Sequence, residues 1–585
     1  MFKLFRSFGK KDYLFIALAV LFIAGQVVLE LKMPEYMSSI TTLVQTEGSE
    51  MGDILRNGGL MLLCAFGSLV STIIAGWFVA NVGADFTFIV RKKIFDKVEE
   101  LSIDDIKRFS TASLITRTTN DVTQVRTVIT MGANMLIRAP LSAIWAIIKI
   151  SGKNWQWSVA TGVAVVIMLA TIITIMMLVI PRFKEIQKLT DKLNGVTQEN
   201  LKGIRVVRAF NAEKYQEKKF DTPNTEVANT TRFVDRILSI MTPTMHLVFN
   251  GISLTVYLIG AALISQSAMA DRLTLFSDMV VFSTYATHVI FSFLMVAIIF
   301  MLIPRAQVSA ERINEVLDKK ITIQDGNFDD ETAETGTVEF RNVSFKYPDA
   351  EEYLLKDISF RAEKGQTVAF IGSTGSGKST LINLIPRFYD ATDGAVFVDG
   401  VNVQDYKQKA LHRKLGYVPQ KAVIFSGTVS SNIAYGDTGG KKPSERKIQT
   451  AAKVAQAKGF VEKLDKQYNS HIAQAGTNIS GGQKQRLAIA RAVARDPEIY
   501  IFDDSFSALD YKTDAALRKA LKEYTKDATS LIVAQRIGTI MHADQIIVLD
   551  KGFCVGHGTH RELMKNCEVY REIALSQLTK EELNV

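Results

Sequence analysis

Cysteine is scarce in this chain: Cys64, Cys554 and Cys567 are the three among 585 residues. Their spacing matches no metal site, and an odd number argues against a disulfide framework. A secretory cleavage site is missing as well. Lys3, Arg6, Lys10 and Lys11 lead into an apolar run, but no small-residue cleavage motif follows it, so the run is expected to remain as a first membrane span. Acidic residues fall short of basic ones, 60 against 69, for a formal charge of +9. The Lys and Arg residues gather beside apolar runs, where anionic headgroups attract them, and this argues against nucleic acid as a partner. What the chain has in excess is hydrophobic residues, 47% of the total, more than an ordinary soluble protein carries.

The excess lies before Pro304. A helix needs about 20 apolar residues to cross the hydrocarbon core, and six runs meet that length: 13–31, 55–80, 127–150, 159–180, 241–264 and 273–303. Arg91, Lys92, Lys93 and Arg108 follow the second run, and Arg182, Lys184, Lys188, Lys192, Arg205 and Arg208 follow the fourth. The positive-inside bias places those loops and both termini on the cytoplasmic side of a plasma membrane. The loops are long and helix-prone, whereas the outer connections at 151–156 and 265–272 are short, so the helices are expected to extend far into the cytoplasm.

Inside the runs, Arg138 and Asp278 sit where charge is costly, and each either lines a substrate cavity or joins an interhelical pair. Glu30, Lys32, Pro34 and Glu35 interrupt the end of the first run, as a polar patch in a cavity or as the outer interface. Met241, Met245, Phe291, Phe293 and Met295 are either helix packing or an adaptable apolar surface for a ligand.

After an amphipathic stretch to Lys320, an acidic linker (321–335) leads into the alternating pattern of half-buried strands, so a soluble domain is expected from 336 to 585 behind a membrane domain of 1–320. Gly372, Ser373, Thr374, Gly375, Ser376, Gly377, Lys378 and Ser379 match a phosphate-binding loop, with a strand before them and helix-like residues from Thr380 after them. The glycines let backbone N–H groups turn toward phosphates, Lys378 offsets β/γ charge, and the Ser379 hydroxyl can ligate Mg²⁺. A second apolar strand, Ile499 to Phe502, ends in Asp503 and Asp504, which brings Asp503 to a strand tip as a carboxylate for the same ion.

Between these two motifs stand Ile479, Ser480, Gly481, Gly482 and Gln483, and this sequence resembles the signature of the ABC transporters. Other elements follow in the family's order: Tyr347 resembles the adenine-stacking aromatic, Gln420 the Q-loop glutamine that reaches the metal, and Ser507 to Asp510 the D-loop. Segments 102–121 and 199–213 resemble the two coupling segments of exporters, with Phe109, Leu114, Arg117, Asp121, Gly203 and Phe210 on the pattern. The resemblance implies six spans with long cytoplasmic extensions, then an α/β P-loop domain of the ABC type that binds ATP and Mg²⁺ and acts as an ATPase. It also implies that each ATP lies between one chain's P-loop and the signature of a second chain, so that Ser480, Gly481, Gly482 and Gln483 serve the partner's site.

Three positions depart from the family's pattern. Asp504 stands where active sites carry a glutamate, and its shorter side chain matters, because misplacement by ~1 Å costs on the order of 10²-fold in rate. Gln535 stands where the family has a histidine, and an amide cannot become an imidazolium. Gln474 replaces a glutamate in a loop that faces the coupling segments. With the P-loop, Tyr347, Gln420 and the signature intact, this is the pattern of the degenerate half of a heterodimeric exporter, whose other half carries the Glu and His. The implied function is export of hydrophobic or amphipathic small molecules across the cell membrane. Peptide or lipid export, import on an exporter-type fold, and a nucleotide-gated regulatory protein are the alternatives.

Overall fold

The computed structural model describes residues 2–6, 8–46, 48–329, 332–436, 440 and 442–579. It resolves into two compact units, residues 1–99 with 109–319, and residues 100–108 with 320–585.

Besides short helices at Phe2–Phe5 and Thr111–Thr116, the chain up to Leu317 forms α1 (Lys10–Gln45), α2 (Met51–Glu100), α3 (Ile103–Arg108), α4 (Val122–Ser151), α5 (Trp155–Lys202), α6 (Ile204–Ala209), α7 (Glu213–Ser239), α8 (Met241–Gln266) and α9 (Met269–Leu317). Among the described residues, six helical stretches are long and apolar enough to cross a membrane, and each contains one of the six apolar runs. At ~1.5 Å per residue, the 50 residues of α2 reach about 75 Å, more than twice the ~30 Å hydrocarbon core. Long extensions beyond the apolar runs are therefore built into the helices themselves.

Within the first unit, α4, α5, α8 and α9 share an apolar seam around Trp157, Phe282, Tyr285, Val289 and Ile290. Arg138 and Asp278, the costly charges inside the runs, are both paired. Arg138 on α4 meets Glu30 on α1 at 2.8 Å, and Asp278 on α9 meets Lys153 in the turn after α4. Between the two readings open for Arg138 and Asp278, both side chains take ion pairs between chain segments.

The segment before α4 contains a π-helical turn, Arg117–Asp121. Arg117 donates to Arg312 O at 2.7 Å and pairs with Glu315, while Asp121 accepts from Ser309 Oγ at 3.0 Å. One extra residue in the turn presents both side chains to α9, and this anchors the segment to the last span.

The second unit holds two large sheets and a two-stranded one that pairs Gly427–Thr428 with His471–Ile472. An antiparallel sheet has the order β2-β1-β4-β5, from β1 (Val338–Phe345), β2 (Leu355–Ala362), β4 (Asp393–Val398) and β5 (Val401–Asn402). The larger sheet has the order β10-β9-β3-β8-β7-β6, from β3 (Thr367–Gly372), β6 (Leu415–Val418), β7 (Ile499–Asp503), β8 (Thr529–Val533), β9 (Gln545–Asp550) and β10 (Phe553–Gly558). It is parallel except for its β10 edge. Parallel strands are covered on both faces, which is why Ile499 to Asp503 are all buried.

Register brings Val533 opposite both Asp503 and Phe370. The chain therefore leaves β3, β7 and β8 at the same end of the sheet, outside the carboxyl ends of its strands, where α/β folds place ligands. Residues 323–328 are part of this unit: Phe328 N donates to Asp405 O, Gly326 N to Tyr406 O, and the ring of Phe328 packs on Tyr406. The short helix α3 belongs here too, since Asp105, fully buried, accepts from Ser102 Oγ and from Thr322 N and Oγ1.

Candidate functional site

Three strand ends assemble the site. From β3 the chain turns through Ser373 to Gly377 into α10 (Lys378–Asn383). Gly375 and Gly377 adopt φ of +84° and +97°, a left-handed conformation that side-chain-bearing residues rarely accept. At Gly377 a Cβ would also come within 2.6 Å of Leu355 Cδ2. The loop is thus a backbone cradle at a helix N-terminus, the arrangement that binds phosphate through N–H groups.

Lys378 Nζ donates to Gly372 O and Ser373 O, both at 2.8 Å, so its ammonium lies within the loop. Burial holds it below the usual lysine range, against the pull of Asp504 and Asp503. Ser379 Oγ donates to Asp503 Oδ1 at 2.6 Å. A hydroxyl and a strand-end carboxylate in contact are hard oxygen donors of the kind Mg²⁺ takes, so the donor set fits that ion. Burial raises the pKa of Asp503, with the bond from Ser379 acting in the opposite direction.

Asp504 follows at φ +46°, a left-handed conformation that costs an aspartate little compared with a branched residue. Its Oδ2 accepts from Gln535 Nε2 at 2.7 Å and from Gln420 Nε2 at 3.2 Å. Two side-chain amides therefore converge on one carboxylate oxygen. Burial raises the pKa of Asp504, opposed first by the Gln420 bond. Gln535 reaches the carboxylate because it follows β8 by two residues, and β8 pairs in register with β7.

Tyr347 is half-buried, and its hydroxyl lies 2.9 Å from Thr380 Oγ1. Its ring meets Phe345 and Tyr389 edge-on, with centroids 5.0 and 5.4 Å away. Lys107 of α3 places Nζ 5.3 Å from the Tyr347 centroid and donates to Tyr389 Oη at 2.7 Å. The aromatic expected to carry a base thus touches both the P-loop helix and the first coupling segment.

Ser480 caps α11 (Gly481–Arg495) through a capping box: its Oγ accepts from Gln483 N at 3.4 Å, and Gln483 Oε1 accepts from Ser480 N at 2.9 Å. Ser480 and Gly481 are exposed. A Cβ on Gly482 would meet Ala508 O at 3.4 Å, so the signature backs onto the D-loop. The structure joins Gly372 to Thr380, Asp503, Asp504, Gln420, Gln535 and Tyr347 by direct bonds, and it joins Ser480 to Gln483 with one another and with Ala508. Gln474 lies in a tight turn, Gln474–Gly476.

Sequence reasoning passed over Lys107, whose aromatic partner is 282 positions away, and over Gln577, described below. No local motif marks either one. Of the residues read as helix packing or an apolar ligand surface, Phe293 lines an apolar cavity of about 280 Å³ in the first unit, together with residues that carried no sequence signal, among them Ile147, Ile150, Thr161 and Val289.

Comparison with known proteins extends over nearly the whole chain. Residues 16–300 match the ABC transporter transmembrane region and residues 355–507 the ABC transporter family. An uncharacterized ABC transporter ATP-binding protein of Mycobacterium tuberculosis is 37% identical, covering 93% of each chain. An ATP-dependent lipid A-core flippase of Pseudomonas aeruginosa is 32% identical over 86% of this chain and 82% of its own. Among solved structures, a bacterial Atm1-family ABC exporter with ATP bound shares the fold at a TM-score of 0.81, with 24% identity over 96% of this chain and 98% of that one.

Proposed function

The chain belongs to the ABC transporters, with membrane region and ATPase domain in one polypeptide, and on that premise we propose that it is the weakly hydrolytic half of a heterodimer that exports hydrophobic or amphipathic compounds. As an ABC transporter it is a multi-pass membrane protein whose transport is driven by ATP. In the proposed orientation, both termini and the ATPase domain are cytoplasmic, and the membrane is the cell membrane.

In this reading, the backbone N–H groups of Ser373 to Thr380 and the ammonium of Lys378 bind the phosphates of the substrate ATP, and Tyr347 carries the base. Ser379, Asp503 and Gln420 would hold Mg²⁺, which supplies charge neutralisation at the β- and γ-phosphate oxygens when bound. Ser480 to Gln483 complete the partner's site with the N–H groups at the start of α11.

The observation that carries the weak-half reading is the double amide contact on Asp504 Oδ2. A general base needs a free lone pair aimed at the attacking water. Here two donors occupy Oδ2 of a carboxylate that is already one methylene short, and they fix the direction in which Oδ1 faces. Gln535, lacking a titratable proton, holds Asp504 in place and cannot stabilise developing charge as an imidazolium would.

A second chain is supported by the loop around α6, where Val206 is 61% and Phe210 77% exposed. Apolar side chains at the tip of a long helical extension mark a surface that another protein covers. Alternating access then follows from differential ATP affinity between the inward- and outward-facing states.

The test is the chemical state of retained nucleotide. After the reconstituted chain and its partner turn over α-labelled ATP, the nucleotide photo-crosslinked to this chain should be ATP. Retained ADP contradicts the reading. Lipid as cargo is a second reading, favoured by the similarity to the lipid A-core flippase, and a flip assay with labelled phospholipid in proteoliposomes separates it from export of drugs or dyes.

A further inference from the structure

We infer that Gln577 is a positioning residue for the nucleotide site, acting from the C-terminal helix on the backbone around Gln535. This rests on the assignment of Gln535 to that site.

The segment after β8 leaves the sheet, and its peptide groups need partners outside the ladder. Two of them find the same side chain. Gln577 Nε2 donates to Gln535 O at 2.8 Å, and Gln577 Oε1 accepts from Ile537 N at 2.8 Å. An amide is suited to this, since it presents a donor and an acceptor on one rigid plane. It brackets the residue between them, Arg536, and fixes the direction in which the Gln535 side chain leaves the backbone. That side chain then donates to Asp504 Oδ2.

The brace has a firm base. Gln577 ends α12 (Glu568–Gln577), whose Tyr570 and Ala574 are fully buried in a cluster with Ile537, Ile540 and Leu563. His560 Nδ1 lies 2.7 Å from the Tyr570 hydroxyl and ties α12 to the preceding helix. Gln577 itself is exposed, so the two bonds can open while the core stays closed. The C-terminal helix thus controls, through two peptide groups, whether an amide rests on the carboxylate at the γ-phosphate side.

The test uses the full-length chain in lipid nanodiscs with ATP and Mg²⁺, and reads hydrogen–deuterium exchange and the rate of ATP release in the same samples. Gln577→Ala should speed exchange of the Ile537 amide roughly tenfold, the loss of about one hydrogen bond, and speed ATP release by a similar factor. Gln577→Glu should behave alike, because it removes the donor and sets a carboxylate against Gln535 O. Leu575→Ala, on the exposed side of the same helix, should leave both readouts at wild type. Unchanged exchange in Gln577→Ala would show that the brace does not exist. Faster exchange with unchanged ATP release, or a wild-type Gln577→Glu, would show that it does not position the site. Whether the retained nucleotide is ATP or ADP is scored separately, so failure of the weak-half reading is distinguishable from failure of the brace.

Discussion

Gln535 Nε2 stands 2.7 Å from Asp504 Oδ2, and this bond gives an amide to the carboxylate that catalysis would need to turn toward water. Extending the carboxylate and replacing the amide should release it together. Asp504→Glu combined with Gln535→His is expected to raise phosphate release at this site by roughly 10–10²-fold, with each single change giving less. Steady-state ATPase assays in lipid check this, and a double variant no faster than wild type would place the block elsewhere.

Ser480 and Gln483 close a capping box on an exposed helix start, and their proposed use is to complete the partner's site. Ser480→Arg should lower ATPase activity of the pair by about two orders of magnitude, the usual effect of losing positioned donors at developing charge. ATP binding to this chain's own P-loop should be unaffected. A Ser480→Arg pair with full activity would rule out the composite site.

Much of this organisation is legible from local sequence. The six apolar runs each match or exceed the length needed to cross the bilayer within a single helix, and the P-loop, Asp503 and the signature are short motifs whose geometry follows from a strand end or a helix start. The pairing of Arg138 with Glu30, 108 residues apart, is different, as is that of Lys107 with Tyr389. Such contacts depend on how helices pack or where a loop lands, and no periodicity encodes them. Gln577 is hidden for the same reason, since an exposed glutamine at a helix end reads as solvent-facing until its two backbone partners are in view.

Arg138 and Glu30 form a partly buried ion pair between α4 and α1, with Gln26 and Ser68 also donating to Glu30. Removing one partner leaves the other charge uncompensated. Arg138→Ala is expected to destabilise the first unit by about 3 kcal/mol, and Glu30→Gln with Arg138→Gln by less. Thermal unfolding in detergent measures both. Equal losses would show that packing, rather than charge, is what the pair supplies.

Lys107 has a raised pKa, chiefly through its bond to the Tyr389 hydroxyl. A raised lysine pKa means a contribution fully present below the ordinary value near 10.5 and lost only as pH rises through the higher folded value. At neutral pH the contact is therefore intact, and Lys107→Met should cost about 1 kcal/mol and speed amide exchange across 103–108. Exchange equal to wild type at neutral pH would mean that Asp105 and its bonds to Thr322 alone hold α3.

The most direct test of the central claim compares the ATPase activity of this chain purified alone with that of the chain co-expressed with an ABC half that carries the Glu and His of the proposed partner, both in lipid. Activity confined to the pair is the predicted result. Full turnover by the chain alone would contradict it, and would make the protein a homodimer in which Asp504 serves as a working base.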